Sequence, residues 1–233
     1  MPQRTWLWVP ILLLVGVSLT FGMKGLYTVK PDGTGDFTSV SAAAEAIEAD
    51  GVDSTIVVDV YTGVYNGGIE VDYCTTGVYT VTFQEATGEE VTITDPNYAV
   101  YLFRTNNWRF IGMNTQAYYG HYFYYSDSNY VEDAVCTGGY YGSRNYYSNG
   151  NEFVGCDFRG SGYGFYNYRS SGTKLTNCFI SGGSSYALYD YYCNANIYQN
   201  NIWRASTYAW YFYAYYSPYL PAVSNYNCFY TGN

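Results

Sequence analysis

The length, composition and charge of the chain already exclude several classes of protein. Of its 233 residues, 48% are apolar, 33 are tyrosine and 25 are glycine, so the chain can bury a large core and intrinsic disorder is excluded. The formal net charge of −9, with 10 basic residues, argues against a nucleic-acid partner. The single histidine, His121, argues against a histidine-dependent triad or a multi-histidine zinc site, and we expect no metal and no cofactor.

The chain begins with the pattern of an export signal. Residues 1–4 form a short basic segment, residues 6–21 form an apolar stretch, and a small residue, Gly22, follows. We therefore predict that residues 1–22 are a signal peptide and that the protein is secreted, either extracellular or at the cell surface. The alternative is an uncleaved membrane anchor, because the apolar stretch falls only slightly short of a spanning helix. Under that alternative, this segment is the chain's contact with a membrane.

An alanine-rich segment predicts a single helix. Residues 39–49 combine alanine with glutamate, Ser39 or Ser41 can cap the first turn, and Gly51 follows the last turn. A solenoid needs its open end covered. We therefore expect this helix to cap a solenoid domain that runs from residue 27 to residue 233.

From residue 98 onward, an eight-residue pattern that we call the octad recurs six times. Its copies start 21, 22, 22, 23 and 22 residues apart. They are YAVYLFRT from Tyr98, YGHYFYYS from Tyr119, YGSRNYYS from Tyr141, YGFYNYRS from Tyr163, YALYDYYC from Tyr186 and YAWYFYAY from Tyr208. A period near 22 residues without a repeated helix predicts an all-β fold, a single-stranded right-handed parallel β-helix. Residues 98–233 are its regular tyrosine-rich coils.

A second column of residues supports the same period. It aligns small and polar residues on successive coils, namely Gly112, Ala134, Cys156, Cys178, Asn201 and Cys228. Cys156 and Cys178 are one period apart and can face each other across neighbouring coils, either as a disulfide or as stacked free thiols. No CxxC motif occurs among the six cysteines, so a metal or redox motif is not indicated.

Two segments near the N-terminus carry a family resemblance. They are VKPDGTGDFTSV at residues 29–40, which leads into the alanine-rich helix, and TGVY at residues 62–65. Both resemble the opening landmarks of pectinesterases, which belong to the pectin lyase-like superfamily of right-handed parallel β-helices. The resemblance covers residues 27–70 and implies this scaffold, which is used by many secreted polysaccharide-active and surface proteins.

The catalytic motifs of the pectinesterases are not retained. Residues 156–160 resemble the approach to that family's QDT motif, and residues 175–182 resemble the approach to its DFIFG motif. Gly162, Tyr163 and Gly164 follow the first segment and Ser184, Ser185 and Tyr186 the second, so the expected Gln and Asp residues are absent. An LGRPW-like arginine motif is also missing. The resemblance implies the scaffold and argues against esterase chemistry, and we assign no catalytic residue.

The alternation of side chains along a straight strand divides the octad into two sides. Positions 2, 4 and 6 then share one side, which we expect to be interior or edge packing, while positions 5 and 7 face solvent. Aromatic rings in register on successive coils are expected to stack into structural ladders. These ladders are Tyr98, Tyr119, Tyr141, Tyr163, Tyr186 and Tyr208 at position 1, and Phe103, Tyr124, Tyr146, Tyr168, Tyr191 and Tyr213 at position 6.

The remaining outward residues are the candidate binding site for a carbohydrate or a protein partner. At position 7 they are Tyr125, Tyr147 and Tyr192, an aromatic strip able to stack on sugar rings. At position 5, Asn145, Asn167 and Asp190 form a polar column with Arg144 and Arg169 nearby. The structural alternative for that column is an asparagine ladder whose amides bond between coils.

Two functions from different classes fit this pattern. The leading hypothesis is a secreted, non-catalytic β-helix that serves as a cell-surface, matrix or fibre-forming structural protein and self-associates through an uncapped C-terminal coil. The alternative is a carbohydrate-binding or polysaccharide-active β-helix, resembling a lyase, esterase or hydrolase, with an extracellular polysaccharide as partner. Flat faces and an exposed final coil favour the first hypothesis. A groove with outward tyrosines and clustered carboxylates favours the second.

Overall fold

The fold is a right-handed parallel β-helix, as predicted. The computed structural model describes residues 22–213 and 221–232, so the predicted signal peptide lies outside the described residues except for Gly22. Within that part of the chain every strand pair is parallel, and about eight coils of ~22 residues stack along one axis. No helix among the described residues is long and apolar enough to cross a membrane.

The described residues form one helix and 22 strands, numbered in chain order. These elements are β1 (Met23–Val29), α1 (Val40–Asp50), β2 (Val52–Val60), β3 (Gly63–Asn66), β4 (Ile69–Asp72), β5 (Val81–Glu85), β6 (Val91–Thr94), β7 (Tyr98–Phe103), β8 (Trp108–Ile111), β9 (Met113–Tyr124), β10 (Tyr130–Glu132), β11 (Val135–Tyr146), β12 (Glu152–Val154), β13 (Asp157–Gly160), β14 (Tyr163–Tyr168), β15 (Lys174–Thr176), β16 (Phe179–Gly182), β17 (Tyr186–Tyr191), β18 (Ile197–Gln199), β19 (Ile202–Ala205), β20 (Tyr208–Tyr213), β21 (Val223–Asn225) and β22 (Cys228–Thr231).

Two sheets form the wall of the solenoid. The first has nine strands in the order β1-β2-β5-β8-β10-β12-β15-β18-β21. The second has two arms that share the long strands β9 and β11. One arm contains β3, β6, β13, β16, β19 and β22, and the other contains β4, β7, β14, β17 and β20. The second arm carries the octads, so a coil passes from the first sheet through the first arm to an octad.

The helix covers one end of the interior, at the position that the sequence predicts. The Ser39 hydroxyl accepts a hydrogen bond from the Ala42 N–H at 3.1 Å and caps the first turn. Gly51 caps the end of the helix: its φ of 78° is in the left-handed region, and its N–H donates to the Ile47 carbonyl. Its buried side packs on β1, β2 and β4. The predicted bounds, 39–49, differ from the observed bounds by one residue at each end.

Ladders of polar side chains accept hydrogen bonds from the backbone N–H groups inside the turns that follow the octads. The N–H groups of Thr105, Ser126 and Ser148 each donate at 3.0 Å to the hydroxyl of the corresponding residue on the next coil. An asparagine ladder repeats this pattern further along each coil, where the Asn129 N–H donates to the Asn151 side chain at 2.8 Å. A buried turn needs such partners because water does not reach its N–H groups. These ladders fix the register of each coil on the next.

The predicted second column is correct at its centre and wrong by one residue at both ends. The strand pairing places Met113 beside Ala134 in place of Gly112, and it pairs Cys228 with Ile202. Asn227 takes the last place in the column and accepts a hydrogen bond from the Asn201 N–H at 3.0 Å. The slip arises because the coils differ slightly in length.

The cysteines are free thiols. The disulfide alternative for Cys156 and Cys178 is therefore wrong. Their sulfur atoms lie 3.3 Å and 3.4 Å from the carbonyl oxygens of Val154 and Thr176 on their own coils. The hydrogen bond with the Cys178 thiol, together with burial, holds the pKa of the Cys156 thiol well above its usual range. Both residues pack as small hydrophobic side chains.

Candidate functional site

The octad strand bends at position 2, and this bend reverses the predicted assignment of positions 4, 5 and 6, while position 2 is buried as predicted. Positions 2 and 3 are both buried in β7, β14 and β17, a pattern that a straight strand cannot produce. Position 2 points into a crowded corner, where a Cβ on Gly142 would lie 2.5 Å from the Gly164 carbonyl oxygen. Only glycine or alanine occupies it. Beyond the bend, positions 3 and 5 point inward and positions 4 and 6 point outward.

The prediction that positions 4 and 6 pack inside is therefore wrong. Their side chains lie half-buried on the outer surface, beside those of position 1. We call the outward residues at positions 1, 4, 6 and 7 of the octads the tyrosine face. Its ladders at positions 1 and 6 are those predicted above. Position 4 contributes Tyr101, Tyr122, Arg144, Tyr166, Tyr189 and Tyr211, and position 7 contributes Arg104, Tyr125, Tyr147, Arg169 and Tyr192.

The rings of the tyrosine face stack along the solenoid axis. Centroids of successive rings are 4.9–5.6 Å apart at position 1 and 4.6–5.4 Å apart at position 6. At position 4, the rings of Tyr166 and Tyr189 are 4.8 Å apart and within 4° of parallel. These distances follow the strand spacing of about 4.8 Å and fall in the range where aromatic pairs attract. The result is a broad aromatic surface with one ring per coil in the rows at positions 1 and 6, and with arginines interrupting the rows at positions 4 and 7.

Position 7 points outward because the chain leaves the sheet there. The residues at this position have φ between 49° and 55°, in the left-handed region. Of the three tyrosines in the predicted aromatic strip, Tyr125 is 42% exposed, and Tyr147 and Tyr192 are half-buried. The rings of Tyr125 and Tyr147 stack at 5.0 Å. The outward direction agrees with the prediction, but its cause is the turn and not the alternation along a strand.

Position 5 is buried, so the predicted polar patch is not on the surface. Asn145 and Asn167 are 0% exposed and Asp190 is 1% exposed. Asp190 accepts hydrogen bonds from the Tyr198 hydroxyl at 2.8 Å and from the Asn167 amide at 2.9 Å. Burial raises the pKa of Asp190 to about 6. These side chains join neighbouring coils from the inside and cannot touch a polymer on the tyrosine face.

Arg144 is the cation at the centre of the tyrosine face. Its Cζ atom lies 4.8 Å from the ring centroids of both Tyr122 and Tyr146, within the range of a cation–π contact. Three more rings surround it at 5.3–5.8 Å, those of Tyr119, Tyr141 and Tyr166. From the sequence alone, Arg144 is only a neighbour of the predicted polar patch. The sequence signal for it is one arginine at a position that is tyrosine in the other five octads.

Two shallow clefts lie at the bend between the two arms of the second sheet. One, of about 560 Å³, is lined by Arg159, Ser181, Arg204 and the glycines of the bend. The other, of about 490 Å³, is lined in part by Gln116 and Tyr118. Arg159 is ion-paired with Asp157. The clefts border the tyrosine face along its position-1 side.

A third, acidic cleft of about 320 Å³ lies at the helix-capped end, beside the first octad. Glu45, Glu70 and Asp95 line it. Burial raises the pKa of Glu70, with further contributions from Asp95 and Asp72. Glu70 pairs with Tyr101 across the strands β4 and β7, so this acidic margin meets the tyrosine face directly.

One histidine–cysteine pair lies inside the solenoid. The Cys136 sulfur is 3.1 Å from His121 Nδ1, and both side chains are 0% exposed. Burial lowers the pKa of His121 to about 3 and raises the pKa of the Cys136 thiol, so both remain neutral. The described residues contain no group of three or more His, Cys, Asp or Glu side chains able to hold a metal ion.

The fold defines the class of protein as a right-handed parallel β-helix. A family model described as periplasmic copper-binding protein (NosD) matches residues 53–226. The chain belongs to the NosD family. The description of that family as periplasmic agrees with a location outside the cytoplasm.

Among solved structures, the chain is similar to the crystal structure of pectate lyase Pel9A. The TM-score is 0.61 at 16% sequence identity, and the match covers 86% of this chain and 58% of the enzyme chain. The chain thus spans less than two thirds of that enzyme's length, and the similarity shows the fold alone. A comparison with curated proteins gives no significant match.

Proposed function

We propose that this protein is a secreted, non-catalytic β-helix of the cell envelope whose tyrosine face binds polysaccharide. The observation that carries the proposal is the outward direction of the ladders at positions 1, 4 and 6. An inward direction would have made these tyrosines part of the core. On the outside, rows of half-exposed rings form an aromatic patch of the kind that marks an interaction surface.

The geometry of the face suits a linear polymer of sugars. A pyranose ring has apolar C–H groups on its flat sides and hydroxyl groups at its edge. A tyrosine offers the complementary pair, an apolar ring and a phenolic hydroxyl that donates and accepts hydrogen bonds. At position 1, one ring follows another on successive coils with centroids 4.9–5.6 Å apart. This row therefore presents equivalent stacking surfaces along one line.

A role in assembly is the structural alternative, and one observation favours it. All four residues of β22 are exposed, including Phe229 and Tyr230 at 52% and 58%. Exposed strand edges pair with other chains. The tyrosine face itself is a poor surface for pairing two copies, because a two-fold contact through it would bring arginines towards arginines on two chains that each carry a net charge of −9.

Copper is named in the family description, but the donors in the described part of the chain do not fit a copper site. Copper is held by thiolate, thioether and imidazole ligands, and the thiol must lose its proton to bind. The candidate pair, Cys136 and His121, is fully buried, and burial raises the pKa of its thiol. We therefore assign no step of the function to copper.

Polysaccharide cleavage is the second candidate function, and the acidic cleft is the observation that favours it. Glycoside hydrolysis commonly uses two carboxyl groups, of which the acid has a raised pKa. Glu70 has a raised pKa and shares the cleft with Asp95. The cleft adjoins the first octad, so a polymer on the tyrosine face would extend into it.

The test measures binding of the mature chain to a panel of soluble and insoluble polysaccharides by affinity electrophoresis and sedimentation. The double variant Tyr166→Ala/Tyr189→Ala removes two stacked rings, each worth about 1 kcal/mol, and should weaken binding about tenfold or more. Tyr79→Ala is the matched control, because Tyr79 is also exposed (38%) but lies off the face. The control should bind like the wild type.

The same samples separate the alternatives. Equal losses in the double variant and in Tyr79→Ala, or no binding to any polymer, would refute the proposal. New reducing ends that vanish in Glu70→Gln would show cleavage at the acidic cleft. Sedimentation velocity of the free chain tests the assembly role, which predicts oligomers whose formation rises with protein concentration.

A further inference from the structure

We propose that the polysaccharide bound by the tyrosine face is acidic, and that Arg104, Arg144 and Arg169 recognise its carboxylate or sulfate groups. This inference rests on the proposed function of the face. It assigns the class of ligand and the residues that select it.

The charge of the face is opposite to the charge of the chain. Although the chain carries a net charge of −9, the one acidic residue in the six octads is Asp190, which is buried. The phenols are neutral, since burial raises the pKa of Tyr101, Tyr141 and Tyr189 to about 12. The three arginines therefore supply the formal charges of the octad surface. This separation of charge favours an anionic ligand at the face and repels it from most of the remaining surface.

Arg144 has donors available for such a ligand. A guanidinium carries five N–H donors and accepts nothing. The structure gives it one hydrogen bond, from Nη1 to the Tyr119 hydroxyl at 3.5 Å, and neither ion pair found in the described residues includes it. Its five aromatic neighbours exclude water and lower the local dielectric constant, which strengthens a charge-assisted hydrogen bond to an anion.

The architecture of the coils does not require an arginine at these places. Position 4 is tyrosine in the other five octads, and position 7 is tyrosine in octads two, three and five. A tyrosine at residue 144 would continue the stack between Tyr122 and Tyr166. Arginine in its place keeps the flat stacking surface and adds a charge and a planar set of donors.

The arginines lie at different distances along the solenoid axis from the acidic end of the face. Acidic residues border the face at its helix-capped end, where Glu70 and Asp72 pair with Tyr101 and Phe103, and Asp127 follows the second octad. Arg144 lies three coils further along, roughly 14 Å away at about 4.8 Å per coil. That separation exceeds the Debye length of about 8 Å at physiological ionic strength, so the acidic margin does not cancel the field of Arg144. We expect the anionic groups of the ligand to lie mainly over Arg144 and Arg169, in the third and fourth octads, and less over Arg104, whose neighbour Phe103 pairs with Asp72.

The test uses pairs of polymers that share a backbone and differ in charge. The probes are carboxymethylcellulose against hydroxyethylcellulose, and dextran sulfate against dextran, each measured by affinity electrophoresis at low and high salt. The wild type should prefer the charged member of at least one pair, and salt should reduce that preference. The cellulose pair reports recognition of carboxylate and the dextran pair reports recognition of sulfate.

Variants that restore the common residue isolate the arginines. Arg144→Tyr should lower the ratio of affinity for the charged polymer to affinity for the neutral polymer roughly two- to fivefold, the range of a single exposed ion pair. The triple variant Arg104→Tyr/Arg144→Tyr/Arg169→Tyr should lose the preference. Arg109→Gln is the matched control, because Arg109 also stacks on a tyrosine, Tyr130 at 4.6 Å, but lies on the first sheet.

The outcomes distinguish this inference from the proposed function. Equal binding of charged and neutral polymers, or a preference that survives in the triple variant, refutes the acidic ligand while polysaccharide binding stands. A loss of preference in Arg109→Gln as large as that in Arg144→Tyr also refutes the assignment. If the chain binds neither polymer of either pair and no polymer of the wider panel, both the acidic ligand and the proposed polysaccharide binding are refuted.

Discussion

The two sides of the octad strands follow opposite rules. On the inner side, position 3 changes from Val100 to His121, Ser143, Phe165 and Leu188 in successive coils, all of them buried. On the outer side, position 1 is tyrosine in all six copies and position 4 is tyrosine in five. In most globular proteins the core is the more uniform side. Here the repetition is on the surface.

The difference follows from what each side must satisfy. The inner side fills a closed volume together with the first sheet and the first arm, so a small residue at one wall can be compensated by a large one at another. The rings of Phe123, from an octad, and Phe153, from the first sheet, stack at 5.9 Å inside this volume. The outer side has no opposing wall. Its side chains pack mainly on the same residue one coil away, and identical flat rings do this best.

The largest expected effect is a cavity on the inner side. Phe165 is 0% exposed and its ring lies 4.8 Å from Phe153 and 5.2 Å from Phe158. Phe165→Ala should lower the free energy of unfolding by about 3–5 kcal/mol, measured by urea denaturation. Phe165→Leu keeps most of the volume and should cost less than about 1.5 kcal/mol. A loss below about 1 kcal/mol for the alanine variant would show that the inner side is not the closed volume described above.

The second effect concerns the buried charge on the inner side. Burial raises the pKa of Asp190 to about 6, above its ordinary value of 3.8. Between about pH 4 and about pH 6 the folded state therefore binds more protons than the unfolded state, so the free energy of unfolding falls as the pH rises. The fall due to this group should reach roughly 3 kcal/mol and then level off above about pH 6.

Asp190→Asn isolates that contribution, because the amide does not titrate. Stability of the wild type and of the variant is measured by urea denaturation at several pH values from about pH 4 to about pH 7. The variant should gain on the wild type as the pH rises through this window. A difference that stays constant with pH would mean that Asp190 is not a buried ionisable group, whatever the absolute stability of the variant.

The same contrast explains how much of the molecule the sequence could predict. The period, the fold class and the capping of the helix by Ser39 and Gly51 depend on spacing and local chemistry, and the sequence shows both. The side to which each octad position points depends on the bend at position 2. In the sequence, the only trace of this bend is a glycine or alanine at that position. A single bend shifts the alternation by one residue, and this shift moved Asn167 and Asp190 from the predicted surface into the interior.

The role of Arg144 depended on the same bend. An interior position 4 would bury the charge of this arginine without an ionic partner. With position 4 on the outside, it becomes a cation among five rings, with Tyr122 and Tyr146 at 4.8 Å. Repetition in the sequence therefore predicted which residues stack, but the direction in which they point required the backbone.

The smallest effect tests whether the outer ladders add stability as well as a surface. Tyr166 stacks on Tyr189 at 4.8 Å and meets the ring of Tyr141 at 5.5 Å. Tyr166→Ala should lower the free energy of unfolding by about 1–2 kcal/mol, because aromatic pairs contribute about 0.5–1.5 kcal/mol beyond the burial of their area. Tyr166→Phe keeps the ring and should unfold like the wild type. If Tyr166→Ala also unfolds like the wild type, the ladder contributes nothing measurable to the fold, and its repetition along the face would have to be explained by the ligand alone. If instead the loss reaches that of Phe165→Ala, the outer side behaves as a second core and the contrast between the two sides fails.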